Sequence, residues 1–332
     1  MKYRHRHLAL LALVTAGLVL AVALSNAMAG RTKSAAGLKV AVVLAVGLKD
    51  TGYGRSALAG ITKIEKDFKI DVATSDLIKP ADFATSLSDY ASRGFNVVIA
   101  DGVEFQDAAK QVAPKFPKTK FVVVNGFLAA KPNLTAYNFR WEQAGFLGGI
   151  VAGVVTKSNK LGNIGGIKIP PIEALFFGFA EGVKKVNPGA TTTVSYVGSF
   201  TDPAKAKTVA LAQISTGIDV IWAIADSANT GVYQAVKQKG IRAIGYGSDE
   251  SSLAPKNIVS TTLVDYGKVI YDSVARAKAG TLQPIVYVEG FKEGVFGLAP
   301  FGGLLTSAQG AKVRALAKQA QAGKIPIKTM GR

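Results

Sequence analysis

The chain has 332 residues, 48% hydrophobic and 19% charged, with 40 Lys and Arg against 22 Asp and Glu, a formal net charge of +18, two His and no Cys. That length and apolar fraction supply enough core for two domains and exclude a disordered chain. Without Cys there are no disulfides and no thiolate chemistry.

The first predicted element is a targeting signal. "MKYRHRH" supplies Lys2, Arg4 and Arg6, residues 8–24 carry no charge, and "NAMAG" offers Ala27, Met28 and Ala29 as an A-x-A cleavage site. A basic start, an apolar middle and small residues at the cut define a secretory signal peptide over 1–29, cleaved after Ala29. The competing reading is a retained anchor, for which this apolar run sits at the short limit. Cleavage removes His5, His7 and three basic residues, leaving 37 basic against 22 acidic, a net +15. The expected product is periplasmic and monomeric, with neither His nor Cys. It therefore lacks Ser-His-Asp and Cys-His machinery, a His/Cys zinc site and the Cys of a lipoprotein anchor.

Short apolar runs then alternate with amphipathic ones. Strands are predicted at 38–46, 70–74, 96–100, 121–125, 161–165, 191–197, 220–225 and 241–246, and helices at 106–116, 144–156, 174–186, 203–215 and 230–239. Apolar strands without polar alternation are buried on both faces, and helical crossovers between them imply parallel sheets in an α/β fold. The basic residues are scattered along the predicted helices, as at Lys110, Lys115, Lys118 and Lys120, or Lys205 and Lys207. No Arg-rich arm interleaves with aromatics, so the charge reads as a solvated surface and no nucleic-acid partner is expected.

The first strand leads into "LKDTGYGRSALAG", residues 48–60, in which Gly52, Gly54 and Ala57 spell G-x-G-x-x-A with Asp76 downstream. A dinucleotide turn would place its first Gly directly after the strand. Here Leu48, Lys49, Asp50 and Thr51 intervene, and Asp50 would oppose a phosphate. No nucleotide cofactor, or any other cofactor, is expected. The glycines instead leave space around Tyr53, with Asp50 free to accept hydrogen bonds from a ligand; the alternative is that Asp50 caps the next helix and Tyr53 packs on a hinge.

The chain also echoes itself. "SRGFNVVIAD", ending at Asp101, and "STGIDVIWAIAD", ending at Asp226, each run from a helix end through Gly and an apolar strand to an Asp, and the second is two residues longer. Two doubly wound lobes follow, with ligand loops at the carboxyl ends of their strands. Acids do not cluster at metal spacing and no metal is expected. Asp249 and Glu250 are the best local acidic pair, although a glycosidase-type pair distant in sequence remains open.

With these features in place, the chain resembles the basic membrane protein family of ABC-importer solute-binding proteins, which includes purine-nucleoside receptors. The resemblance runs over about residues 38–326, through "KDTGYG" (49–54), "AAKQVAPKFPKTKFVVVNG" (108–126), "LTAYNFRWEQAGFLGGIVAGVVT" (134–156), "KLGNIGGIKIPPIEALFFGFAEGVKKVNPGA" (160–190), "VGSFTDPAKAK" (197–207), "GIDVIWAIADSANTGVYQA" (217–235) and "GYGSDESSLAP" (245–255). It implies a type I periplasmic binding protein with hinge crossings near 136–139, 261–265 and 286–296. Lobe one would be 37–137 plus 266–285, and lobe two 138–260 plus 297–326.

The implied ligand is a purine base or nucleoside, and the implied partner an inner-membrane ABC permease. Asp50 and Tyr53 match the family's acid and lobe-one aromatic, and Phe200 in "GSFTDP" matches the aromatic of the other lobe. Asp101, Asp226 and Asp249 are further candidate acids. Phe105 and Trp141 are further candidate contacts, Trp141 equally suited to packing the hinge, while Trp222 is expected in the core. Two departures bear on the ligand. Gly247 stands where nucleoside-binding members carry a ribose-holding Asp, and Asp226 lies where they have a Gly-rich turn; both favour a free base. Rival readings are a receptor for a sugar or amino-acid derivative, a sensory receptor without transport, and an exported carboxylate hydrolase.

Overall fold

The computed structural model describes residues 37–49 and 52–331. The signal peptide and Asp50 lie outside the described residues.

Two six-stranded sheets are present. The first contains β1 (Val40–Leu44), β2 (Val72–Ser75), β3 (Val97–Asp101), β4 (Lys120–Val124), β5 (Leu134–Phe139) and β11 (Val286–Glu289), in the order β11-β5-β4-β3-β1-β2. All its pairs are parallel, with Leu44 opposite Asp101 and Asp101 opposite Val124. The second contains β6 (Lys160–Gly165), β7 (Thr191–Tyr196), β8 (Val220–Ile224), β9 (Arg242–Gly247), β10 (Ile258–Val264) and β12 (Phe296–Leu298), in the order β12-β10-β9-β8-β6-β7, antiparallel only at β10 and β12. The central strands are apolar and buried throughout, as expected of sheets covered on both faces.

Each sheet has one place where the winding reverses, between β1 and β3 in the first and between β6 and β8 in the second. Loops leaving the carboxyl ends of strands on either side of such a point diverge and open a crevice. The helices that follow are α1 (Tyr53–Phe68), α2 (Phe83–Ser92), α3 (Gln106–Val112), α4 (Trp141–Val155), α5 (Pro170–Val186), α6 (Pro203–Ser215), α7 (Asn229–Lys239), α8 (Tyr266–Lys278) and α9 (Ser307–Gln321).

The stretches expected as hinge crossings carry strands of their own. The chain leaves the first sheet between Phe139 and Trp141, returns between Val264 and Tyr266, and leaves again between Glu289 and Phe296. Lobe two is stiffened at the first crossing by α4 and α5, which touch backbone to backbone. A Cβ on Gly145 would collide with the Leu175 carbonyl, and one on Gly178 with the Glu142 carbonyl.

Candidate functional site

The lobe-one side of the site is set by two helix starts. α1 and α8 both begin with the dipeptide Tyr-Gly, Tyr53-Gly54 and Tyr266-Gly267. The helices approach until a Cβ on Gly60 would strike the Gly267 carbonyl, and the Gly267 N–H donates to Ser56 Oγ at 3.1 Å. Gly54 is pressed as closely against the Gly47 carbonyl in the loop after β1. Asp265 caps α8 by accepting from the Lys268 N–H at 2.8 Å. Fixed in this way, the Tyr53 and Tyr266 rings lie 3.9 Å apart, tilted by 34°.

Asp101 ends β3 beside this pair and is 1% exposed. Burial, and then the negative charge of Asp101, hold the Tyr53 hydroxyl well above its ordinary pKa. Glu104, in the following turn, is raised by burial.

The lobe-two side is built by the loops after β7, β8 and β9. Asp226 is exposed and adopts φ +46°, a left-handed backbone uncommon for a residue with a side chain. The Phe200 carbonyl accepts from Ser227 Oγ and the Ala228 N–H, both at 3.0 Å, which joins the loop after β7 to that of Asp226. The Phe200 ring occupies the space beside Gly166, just past the end of β6, where a Cβ would collide with it.

Tyr246 in β9 brings its hydroxyl 3.3 Å from that of Tyr266. The Tyr266 pKa is raised well above the usual value by burial, then by Tyr246, Asp226 and Asp101. The strand-end aspartates of both lobes therefore act on one tyrosine at the second crossing. A direct bond between the lobes lies alongside, from Ser248 Oγ to the Gly52 carbonyl at 2.9 Å.

Aromatic rings fill the crossings. The Phe139 ring lies 4.7 Å from that of Trp141, tilted by 34°, and 5.6 Å, edge-on, from that of Tyr266, and Trp141 lies 5.8 Å from Phe296. Beside Trp141 is a cavity of about 660 Å³, lined by Val103 after β3, Asn125 after β4, Asn138, Phe139 and Glu142 at the first crossing, Pro170, Pro171 and Glu173 at the start of α5, and Met330. Small-molecule sites span about 300–1,000 Å³. Among the described residues no group of His, Cys, Asp and Glu is clustered as a metal site.

Of the residues singled out in the sequence, Tyr53, Asp101, Asp226 and Trp141 gather around Tyr266. Phe200 stands on the lobe-two side with the Asp226 loop. Asp249 is exposed and accepts from the Ser251 N–H of its own turn at 3.0 Å. Its neighbour Glu250 turns inward, accepting from the Tyr246 N–H at 2.9 Å, from Asn229 at 3.3 Å and from the Tyr233 hydroxyl. Phe105 corrects an expectation. It is fully buried in the lobe-one core, 4.0 Å from the Phe83 ring, because the turn after β3 folds it back under the sheet end.

Tyr266, Tyr246, Ser248 and Asn125 escaped sequence reasoning. The repeated Tyr-Gly, at residues 53–54 and 266–267, was the available signal for Tyr266. Asn125 shows only in its left-handed φ of +62°.

Comparisons with known proteins agree with this architecture. The family model Bmp, "ABC transporter substrate-binding protein PnrA-like", matches residues 38–329. Basic membrane protein A2 of Borrelia garinii subsp. bavariensis is 30% identical over 266 residues, covering 78% of this chain and 79% of that protein. The "ABC transporter nucleoside-binding protein BmpA" of Lactococcus lactis subsp. cremoris is 28% identical over 265 residues, covering 73% and 76%. In structure, an ABC transporter solute-binding protein of Aeropyrum pernix K1 superposes with a TM-score of 0.77 at 20% identity, covering 89% of this chain and 94% of that one. With two α/β lobes in the type I periplasmic binding protein arrangement and a family match across nearly all of its described length, the chain belongs to the Bmp family of ABC transporter substrate-binding proteins.

Proposed function

We propose that this protein is the exported, periplasmic receptor of an ABC importer and that its cleft captures a purine, as the free base or the nucleoside. One observation carries the reading: a close tyrosine pair, Tyr53 and Tyr266, flanked by a strand-end acid from each lobe, Asp101 and Asp226. A flat, nitrogen-rich ring suits that arrangement. Its face stacks on Tyr53, with Phe200 the partner from the other lobe, and its N–H edge donates to the acids. Stacking of a base on an aromatic is worth roughly 1–3 kcal/mol. The printed name of the Lactococcus relative points the same way.

Capture is a population shift. Only the closed arrangement brings both lobes onto the solute, so the ligand stabilises closure by the contacts it gains there. The Ser248 to Gly52 bond belongs to that closed arrangement. Binding involves no covalent step; the receptor acts as a monomer and hands its solute unchanged to the permease. Gly247, with φ +89° and no side chain, gives a ribose no side-chain ligand at the end of β9.

A thermal-shift panel of purine bases, nucleosides, sugars and amino acids tests the reading. Stabilisation should follow RT ln(1 + [L]/Kd) for purines. A response to sugars or amino acids with none to purines would overturn it, as would release of free base from a nucleoside on incubation.

A further inference from the structure

Glu250 lies in the turn between β9 and β10 and is 6% exposed. One of its carboxyl oxygens accepts from the Tyr246 N–H at 2.9 Å and from the Tyr233 hydroxyl. The other accepts from the Asn229 amide at 3.3 Å. Its own N–H donates at 3.1 Å to Thr261 Oγ1 in β10, the strand that leads into the second crossing. Each partner reaches the candidate site in one further step. Asn229 Oδ1 holds the Ala225 N–H at 2.8 Å, and Ala225 precedes Asp226. Tyr246 carries the hydroxyl that meets Tyr266. Ser248, two residues before Glu250, makes the bond across the lobes to the Gly52 carbonyl. The packing leaves little slack, since a Cβ on Gly245 would lie 2.5 Å from Thr261 Oγ1 and 2.9 Å from Glu250 Oε2.

The donors decide what this side chain must be. Asn229 is fixed in orientation, because its Oδ1 already accepts the Ala225 N–H, so its NH₂ faces Glu250 and needs an acceptor. A carboxylate offers an acceptor at both oxygens and strengthens every bond it takes. A neutral group of the same shape, Gln or the protonated acid, sets a donor of its own among these donors and holds them less firmly. The groups facing the carboxyl are Tyr233 and Asn229 from α7, Tyr246 from β9, Thr261 from β10 and, at longer range, Asp226. Asp249, next to it in the turn, points outward. Among the described residues Glu250 has no ion pair.

We propose that Glu250 is the positioning residue of the lobe-two side of the cleft: as a carboxylate it holds the Asp226 turn, Tyr246 and Ser248 in register for closure, so that solute affinity rises when it is ionised. This rests on the reading of the cleft between Asp101 and Asp226 as a purine site. Burial pushes the Glu250 carboxyl up to about 7; its hydrogen bonds oppose the rise and the charge of Asp226 adds to it. A solute that donates an N–H to Asp226 offsets that charge, so the bound state favours ionised Glu250 and binding releases a proton. Affinity therefore increases as pH rises through about 7, while the contribution of the same group to folding is lost over that range. A Glu250 that only stabilised the fold would not drive the two in opposite directions.

The probes are adenosine, guanosine, adenine and guanine, with affinities from calorimetry between about pH 5.5 and about pH 8.5, alongside ¹⁵N spectra of the solute-free protein. Wild-type affinity should rise about tenfold across that range. Glu250→Gln should bind about tenfold more weakly than the wild type at the upper end and vary by less than about twofold with pH. Asp226→Asn should weaken binding in the wild type yet change it by less than about twofold in Glu250→Gln, where the turn is already released. Without solute, the Ala225 and Tyr246 amide signals should titrate with a midpoint of about 7 and stand still in Glu250→Gln. A wild-type affinity that is level or falls with rising pH, or full additivity of the two substitutions, would overturn the role of Glu250 and leave the purine reading intact. Silence from every purine would overturn the purine reading, and the solute-free spectra would then decide on Glu250: stationary Ala225 and Tyr246 amides in the wild type overturn its role, and titrating ones uphold it.

Discussion

The two echoed strand ends show how similar local sequence is put to different use. In lobe one the strand runs to Asp101, which stays in the ladder opposite Leu44 and Val124, and Phe105 plugs the core beneath the following turn. In lobe two the strand stops at Ile224, and the two extra residues carry Asp226 off the sheet into an exposed left-handed turn. The anchor beneath it is polar. Buried Asn229 accepts from the Ala225 N–H at 2.8 Å and donates to Glu250, which also takes the Tyr233 hydroxyl. Lobe one thus offers a preset acid over a dry floor. Lobe two offers an adjustable one over a network with a titratable member.

The largest effect should come from the floor. Phe105→Ala should destabilise the fold by about 3–5 kcal/mol in denaturant titration, as large-to-small core changes do, while the folded fraction keeps its solute affinity. Loss of affinity at unchanged stability would return Phe105 to the cleft.

Exchanging the acids tests the comparison itself. Asp101→Asn should weaken purine binding by about 1.5–3 kcal/mol, roughly 10- to 150-fold by calorimetry, and Asp226→Asn by a smaller factor because that side chain is solvated. Equal losses would remove the distinction between a preset and an adjustable jaw.

Tyr53→Ala should cost about 1–3 kcal/mol of binding, and Tyr53→Phe much less, since the ring carries the stacking. If the two variants lose affinity equally, the hydroxyl matters instead, and Tyr53 serves to position Asp101.

The smallest effect is a pH slope. Burial pushes the Glu250 carboxyl up to about 7 against an ordinary 4.5, opposed by hydrogen bonds from Tyr233, the Tyr246 N–H and Asn229. Between those values the folded protein holds a proton that the unfolded chain has released. This contribution is therefore full below about pH 4.5 and is lost as pH rises through about 7. Thermal midpoints should fall between pH 5 and 7.5 more steeply in the wild type than in Glu250→Gln. Glu104 in lobe one is raised in the same sense, so Glu250→Gln should flatten the slope only in part. An unchanged slope would show that Glu250 is ionised in the fold.

Much of this was legible in the sequence. Apolar runs such as "VAVVL" and "VIWAI" must be buried on both faces, which dictates parallel sheets covered by helices, and the echo located both strand-end aspartates. The strands at the crossings were missed because short runs like "VYVE" and "FGL" read equally well as linkers until a neighbour pairs with them. Asp101 and Asp226 could be chosen because their positions at strand ends follow from topology, and Tyr53 because glycines flank it.

Which aromatics face the cleft could not be decided in one dimension. Phe105 and Trp141 each follow a strand end and are equally apolar in the sequence, yet one plugs a core and the other lines a cavity with its N–H unpaired. Likewise Tyr53 meets Tyr266 only because Gly60 and Gly267 let two distant helices touch. Periodicity states that a residue is buried, a local property of the chain. What it is buried against depends on how the sheets and helices pack, and on that packing the cleft was built.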